Sequence, residues 1–332
     1  MLEKLISSFL KLLWLQGLLM GSKSNYPSVT QVTEPVQISE TPLWDQRVGK
    51  LFFVNIHHGQ VLAYDPKTQK TELAAEFEGN NLTPIILTKD PNVLLGGLNR
   101  SLVKIKLFDK QAKPEVLHTV QNDHPRNRFN DGKADNKGRV WIGTIGYEPL
   151  PGESGEVELN VAALFKFTKD HINAPEVMIP KISLGNGLTW NSINTKFYYI
   201  DTYTEDVVQY DYDDTTGTIS NKKVAFDCKG KGLGRPDGMT IDVDDKLWVA
   251  LYGGGSVIQV DPTTGSILRR IPIPAAHTTC PVWGGPNFDI LYVTTSKRSL
   301  TEQERNEQPG AGAVYAVTNL GTKGYPLYEA DI

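Results

Sequence analysis

Four short polar segments carry the residue types that oxygen-based metal and substrate chemistry needs. Ser39-Glu40-Thr41-Pro42-Leu43-Trp44 sets a carboxylate before a proline-stiffened strand start. Asn127-Arg128-Phe129-Asn130-Asp131-Gly132-Lys133-Ala134-Asp135 packs charges and amides just ahead of a strand at 139–142. Gly185-Asn186-Gly187-Leu188 places one amide between two glycines, and Gly234-Arg235-Pro236-Asp237-Gly238 presents a carboxylate in a similar turn. Singly, Asn-Gly and Asp-Gly are ordinary turn dipeptides. Together, Glu40, Asn130, Asn186 and Asp237 precede four different strand repeats at equivalent places. In a ring of repeats, equivalent places converge on the axis. Carboxylates and amides gathered there make an oxygen cage suited to Ca²⁺, Mg²⁺ or Mn²⁺ rather than to a soft metal.

Other chemistries lack their residues. The chain has no G-x-S-x-G elbow, no P-loop, no H-E-x-x-H and no dinucleotide fingerprint after a strand. The segment 211–217 (DYDDTTG) faintly resembles a calcium loop, but its glycine falls one place late and no Glu closes it. It reads as a hairpin turn. His57 and His58 fall in another hairpin turn. Adjacent rings point apart on a strand, so a solvent-exposed turn is expected and a zinc site has little material. Cys228 and Cys280 read as unpaired, buried thiols with no disulfide framework.

The elements that must position these residues are short strands. Residues 50–65 (KLFFVNIHHGQVLAYD), 196–211 (KFYYIDTYTEDVVQYD) and 246–261 (KLWVALYGGGSVIQVD) repeat one plan: Lys, an aromatic and aliphatic strand, a polar turn, and a second strand ending in Asp. Weaker copies lie at 92–107, at 139–167 with a long insertion, and at 290–317 with another. Six such hairpins at a spacing of roughly 50 residues are the signature of a β-propeller, whose blades bury their faces on one another. The expected fold is therefore all-β, a six-bladed propeller with a metal site in its hub. Residues 30–39 are expected to supply the strand that closes the ring, and no helical run is expected outside the leader.

Composition agrees. The 332 residues hold 30 Gly and 20 Pro, scattered as many turns require, and the net charge is −4. No basic block or stripe exists, so nucleic acid is excluded as a partner. Residues 1–26 stand apart from the 27–332 propeller as an N-terminal extension. Residues 1–20 (MLEKLISSFLKLLWLQGLLM) are apolar, but Lys11 interrupts them and no A-x-A cleavage site follows. They read as an amphipathic extension on a cytoplasmic protein, with secretion the alternative if residues 1–21 act as a signal peptide. A membrane anchor fits less well. The sequons at Asn81 and Asn99 matter only in a secreted chain.

Several blocks, among them NRFNDGKADNKGRVWIGT, NGLTWN, PDGMTID and GGPNFDILYVTTS, resemble the regucalcin (senescence marker protein), gluconolactonase and luciferin-regenerating enzyme family. The likeness runs from about Glu40 to the C-terminus and is strongest to animal, insect-like regucalcin. It implies a six-bladed propeller. It places Glu40, Asn186 and Asp237 on the family's metal ligands, and Arg128, Asn130 and Glu148 on its sugar-lactone contacts. Asn130 thereby moves from ligand to substrate contact. Thr41 departs from the family's usual Gly or Ser, Asn55 from its common Asp, and residues 149–159 form a divergent insertion. The implied activity is hydrolysis of a small-molecule sugar lactone with one divalent cation (Ca²⁺, Zn²⁺, Mn²⁺ or Mg²⁺). Water is the nucleophile, and Asp237 orients or deprotonates it. The rival readings are a calcium-binding regulatory protein without catalysis, and a related hydrolase acting on a phosphotriester or luciferin-type compound. A monomer or weak dimer with no firm protein partner is expected.

Overall fold

A computed structural model of the chain describes residues 26–149 and 157–332. The expected N-terminal extension, but for Tyr26, lies outside the described residues. The first element is the short strand Ser28–Gln31 (β1). Antiparallel four-stranded sheets follow. The first unit holds Ser39–Asp45 (β2), Lys50–Asn55 (β3), Gln60–Asp65 (β4) and Lys70–Glu76 (β5). The second holds Leu82–Leu87 (β6), Val93–Leu98 (β7), Ser101–Lys106 (β8) and Glu115–Thr119 (β9). The third holds Arg128–Ala134 (β10), Val140–Ile145 (β11), Ala162–Phe167 (β12) and Glu176–Ile182 (β13). The fourth holds Gly185–Trp190 (β14), Lys196–Asp201 (β15), Asp206–Asp213 (β16) and Thr218–Asp227 (β17). The fifth holds Arg235–Ile241 (β18), Leu247–Tyr252 (β19), Ser256–Asp261 (β20) and Ser266–Pro272 (β21). The last joins His277–Gly284 (β22), Ile290–Ser296 (β23) and Tyr315–Thr318 (β24) to β1. A single pair, Tyr252 with His277, links the fifth unit's ladder to the last.

The hairpins expected from the repeat are the two middle strands of each unit. Their aromatic and β-branched residues are buried on both faces, as strands stacked between neighbouring sheets require. Burial falls outward within each unit. β2 and β14 are buried throughout, whereas the outermost strands β5 and β21 are mostly exposed and carry charges, as sheet edges do.

The apolar core is divided among the junctions between neighbouring units. Leu43, Phe52 and Val54 meet Leu82, Ile85 and Val103 between the first two. Trp141 and Leu164 meet Trp190 and Phe197 between the third and fourth. Trp44 and Phe53 meet Val282 and Tyr292 between the first and last. The first strands of the units, β2, β6, β10, β14, β18 and β22, touch in that order, and β22 touches β2. The chain thus closes on itself around six inner strands.

One device recurs in two units, the third and the fifth. Asp135 follows β10, and its Oδ1 accepts from Lys137 N at 2.9 Å and Arg139 N at 3.0 Å. Its Oδ2 accepts from Arg139 Nε at 2.6 Å, Trp141 Nε1 at 3.0 Å and Tyr212 Oη at 2.8 Å. Asp242 repeats the plan in the fifth unit, with Oδ1 on Lys246 N at 2.9 Å and Oδ2 on Trp248 Nε1 at 2.8 Å. The carboxylate supplies acceptors for a turn whose N–H groups face the wrong way for the ladder.

Two expectations need correcting. The closing strand is Ser28–Gln31, earlier than residues 30–39; beyond Gln31 pairing is intermittent, through Val32 N to Val314 O at 2.9 Å and Val36 N to Gly312 O at 3.0 Å. Pro35, which has no N–H to give, interrupts it. A short helix, Glu302–Glu307 (α1), also occurs, started by a capping box between Thr301 and Glu304. It is too short to show a helical period in the sequence.

Candidate functional site

Each inner strand slips register at the same depth. The shifts fall between Glu40 and Leu43, Leu82 and Ile85, Phe129 and Gly132, Gly185 and Leu188, Pro236 and Met239, and Thr278 and Pro281. A bulge sets two residues opposite one and turns a side chain away from the alternating pattern. Asn130, Asp131, Asn186 and Asp237 all sit inside these bulges, and Glu40 borders its own. The small residues follow from crowding: a Cβ on Gly187 would meet Asp237 O at 2.8 Å, and one on Gly238 would meet Cys280 Sγ at 2.4 Å. Thr41, beside Glu40, stands at φ 43°, a conformation in which glycine is unstrained and a β-branched residue is not.

All six expected site residues line one cavity of about 850 Å³ at the end of the ring where these bulges open. Glu40 is buried, and its Oε2 accepts from Thr41 N. Its carboxyl is pushed up to about 8, by burial first and by Asp131 second. Asp237 is also raised by burial, then by Glu40 and Asp131, against hydrogen bonds from Asn186 and Gly238. Asn186 Nδ2 donates to Thr202 Oγ1 at 2.8 Å, and that hydroxyl donates to Pro236 O at 2.8 Å. This turns Asn186 Oδ1 toward Asn130, whose Nδ2 donates to it at 3.2 Å and to Gly185 O at 3.0 Å.

Above these groups lies Arg128. It donates through Nη1 to Asn130 Oδ1 at 2.8 Å and Phe129 O at 3.0 Å, and through Nη2 to Glu148 Oε2 at 3.0 Å. Its guanidinium is lowered to about 10 by burial, with Glu40 and Asp237 opposing. Glu148 follows β11, and its other oxygen is taken by Arg298, which also donates to Pro149 O at 2.9 Å.

Sequence reading missed three participants. Asp131 is buried and raised by burial; Oδ1 accepts from Gly132 N at 2.7 Å, while Oδ2 has no partner among the described residues. Its signal was present in the Asn130-Asp131-Gly132 run, but turn chemistry explained that run equally well. Thr202 and Arg298 gave none, since each reaches the site only through packing of distant segments.

His57 corrects a further expectation. It lies in the turn as expected, but it is half-buried rather than solvent-exposed, and its Nδ1 donates to Asn81 Oδ1 at 2.6 Å. The turn packs against β6 of the second unit, and His58 is the exposed member of the pair. Asn99 is likewise engaged, its Oδ1 accepting from Asn81 N at 2.9 Å and its Nδ2 donating to Asn80 Oδ1 at 2.7 Å. Both cysteines are free and buried.

Among the described residues, no group of three His, Cys, Asp or Glu is set to hold a metal ion. The expected ligand set is instead two carboxylates and one amide oxygen. It fits a hard divalent cation: Glu40 and Asp237 are buried together with Asp131, which raises the proton affinity of Glu40 and, with Glu40, that of Asp237. Arg128 and Lys133 offset this charge only in part, since Glu40 and Asp237 stay raised, and a dication is the charge that would offset the rest.

A family model described as SMP-30/Gluconolactonase/LRE-like region matches residues 38–297. Regucalcin of Xenopus laevis is 35% identical over 293 residues, spanning 88% of this chain and 94% of that protein. The structure of luciferin-regenerating enzyme superposes with a TM-score of 0.84 at 30% identity, covering 92% of this chain and 100% of that one. A calcium-binding protein, regucalcin, from Agrobacterium tumefaciens str. C58 superposes with a TM-score of 0.81 at 22% identity, a likeness of fold that covers 92% of this chain and 98% of the other.

Proposed function

This chain belongs to the SMP-30/gluconolactonase/LRE-like family, and from that premise we propose that it hydrolyses sugar lactones with one divalent cation held by Glu40, Asn186 and Asp237. The single observation that carries this is the shared cavity: the three oxygen ligands and the donors Arg128 and Asn130 face the same space. We read the six four-stranded units as the blades of a propeller occupying residues 27–332, with the cation in its hub.

The cation supplies Lewis acidity toward the lactone carbonyl and the charge that keeps Glu40 and Asp237 ionised. The chain's own groups do the rest. Arg128 is held by Asn130, Phe129 O and Glu148, so its donors meet sugar hydroxyls and the ring oxygen without reorganising. Asn130 is fixed by Gly185 O and Asn186 and adds a contact to the sugar. Asp237 orients a water and takes its proton as that water attacks the carbonyl carbon. The acyl carbon–ring oxygen bond then breaks, and the proton held by Asp237 passes to the departing ring oxygen, leaving a hydroxy acid. Ile38, Ile56, Ile145 and Leu184 in the wall restrict bulk water around the sugar.

The test uses purified protein with Ca²⁺, Mg²⁺, Mn²⁺ or Zn²⁺ and D-glucono-δ-lactone, read by acid release at fixed pH, beside Asp237→Ala. Equal hydrolysis by the two proteins would sink the mechanism. A second reading, calcium binding without catalysis, draws support from the calcium-binding relative of the same fold. It needs only the ligands, so under it Arg128→Ala leaves function intact.

A further inference from the structure

Among the described residues, the wall of this cavity holds more positive charge than hydrolysis of a neutral sugar lactone uses. Glu148 is shared by two guanidinium groups, Arg128 on Oε2 and Arg298 on Oε1, so one carboxylate answers two cations. Arg298 is largely buried, and its Nε is a buried donor with no acceptor among the described residues. A charged N–H left unpaired away from water is costly unless an acceptor arrives. Lys297 and Arg305 line the same cavity, and neither side chain has an ion pair or hydrogen bond among the described residues. Arg235, also in the wall, is answered elsewhere: its Nε lies 3.7 Å from Glu205 and its guanidinium 5.0 Å from the Tyr203 ring centroid. Among the described residues, the remaining acids of the lining, Glu40 and Asp237, are those assigned to a dication. Among those residues the charge left over is positive, and it is grouped on the segment that leaves β23 and runs through α1.

We propose that the lactone hydrolysed here carries an anionic group, a carboxylate or a phosphate, remote from its carbonyl, and that Arg298 binds this group with Lys297 and Arg305 at the rim. The proposal rests on the lactonase reading and names its substrate class. Arg128 and Asn130 hold the sugar near the cation ligands, and the anion points outward along the chain of cations. A neutral lactone leaves both rim cations, and the charge that Arg298 balances only by sharing Glu148, without an anionic partner.

The experiment compares kcat/KM for three probes: D-glucono-δ-lactone, D-glucaro-1,4-lactone, which carries a carboxylate, and 6-phospho-D-glucono-δ-lactone. Wild type is set beside Arg298→Gln, Lys297→Gln and Arg305→Gln, with the two rim variants guarding against a folding defect at the buried arginine. At least one charged probe should exceed the neutral lactone by about tenfold, the scale of one charge-assisted hydrogen bond. That preference should shrink in all three variants. It should also fall with added NaCl, as attraction between partly exposed charges does. The two charged arms show which anion fits. Equal turnover of all three probes overturns this proposal and leaves the lactonase reading standing, whereas no turnover of any probe with any divalent cation overturns both.

Discussion

Asn130 donates its Nδ2 to Oδ1 of Asn186 at 3.2 Å, tying an expected substrate contact on β10 to an expected metal ligand on β14. The tie continues through Asn186 Nδ2 to Thr202 Oγ1 and from that hydroxyl to Pro236 O, next to Asp237. Three inner strands are thus joined by side-chain amides and one hydroxyl. Thr202 touches neither a sugar nor a cation in the proposed reaction, so it acts as a positioning residue. Thr202→Val keeps the shape and removes both bonds. It should weaken divalent-cation binding about tenfold, as loss of an outer hydrogen bond to a ligand does. Titration calorimetry with Ca²⁺ reads this directly, and Thr202→Ser should restore most of the affinity. Unchanged affinity in the valine variant would deny Thr202 that role.

Arg128 separates catalysis from cation binding. Arg128→Lys keeps a positive charge but loses the planar fork that reaches Asn130, Phe129 O and Glu148 together. Hydrolysis of D-glucono-δ-lactone should fall about a hundredfold in kcat/KM, the equivalent of two charge-assisted hydrogen bonds. Cation affinity should stay within a factor of two or so, because the ligands are untouched. Steady-state kinetics and calorimetry on one preparation give both numbers.

Asp135 should matter for stability well away from the chemistry. It is fully buried, and its loss leaves Arg139, Trp141 Nε1 and Tyr212 Oη without their shared acceptor. Asp135→Ala should cost about 3–5 kcal/mol, the range for stranding one partner of a buried ion pair. Asp213→Ala, at an exposed hairpin turn whose bonds water can replace, should cost about 1 kcal/mol or less. Urea midpoints for the two variants test the contrast.

The difference between Asp135 and Arg298 shows what can be read from the chain alone. The repeating hairpins were legible because the middle strands of each unit are buried on both faces and so keep one dense apolar pattern. Asn186 and Asp237 were legible as polar residues beside Gly or Pro, since their bulges demand such neighbours, and Glu40 as a carboxylate two places before Pro42. The bulges themselves were not, because a register slip is a relation between two strands. The Arg298–Glu148 contact spans 150 residues of sequence and exists only once the ring has closed. His57 was misplaced for a related reason: a turn reads as exposed until a neighbouring unit is seen packing over it.

His57 then sets a pH dependence with a definite sign. Burial holds its imidazole down to about 4, with Arg128, Arg298 and His58 adding repulsion and the Asn81 bond opposing. An unfolded histidine takes its proton near 6.5. Between those values the unfolded chain binds a proton that the folded one refuses, so this contribution to stability is present above pH 6.5 and lost as pH falls toward 4. Glu40 runs the other way in cation-free protein. Its raised value makes it favour the fold at low pH and lose that contribution as pH rises through about 8. A single pH profile therefore mixes opposing slopes, and the informative quantity is a difference between two proteins. His57→Gln cannot take up a proton and can still donate to Asn81. Urea midpoints from pH 4.5 to 7.5 should show wild type losing more stability than this variant toward the acid end. Parallel profiles would mean that His57 is as open to protonation folded as unfolded, contrary to its partial burial against the second unit.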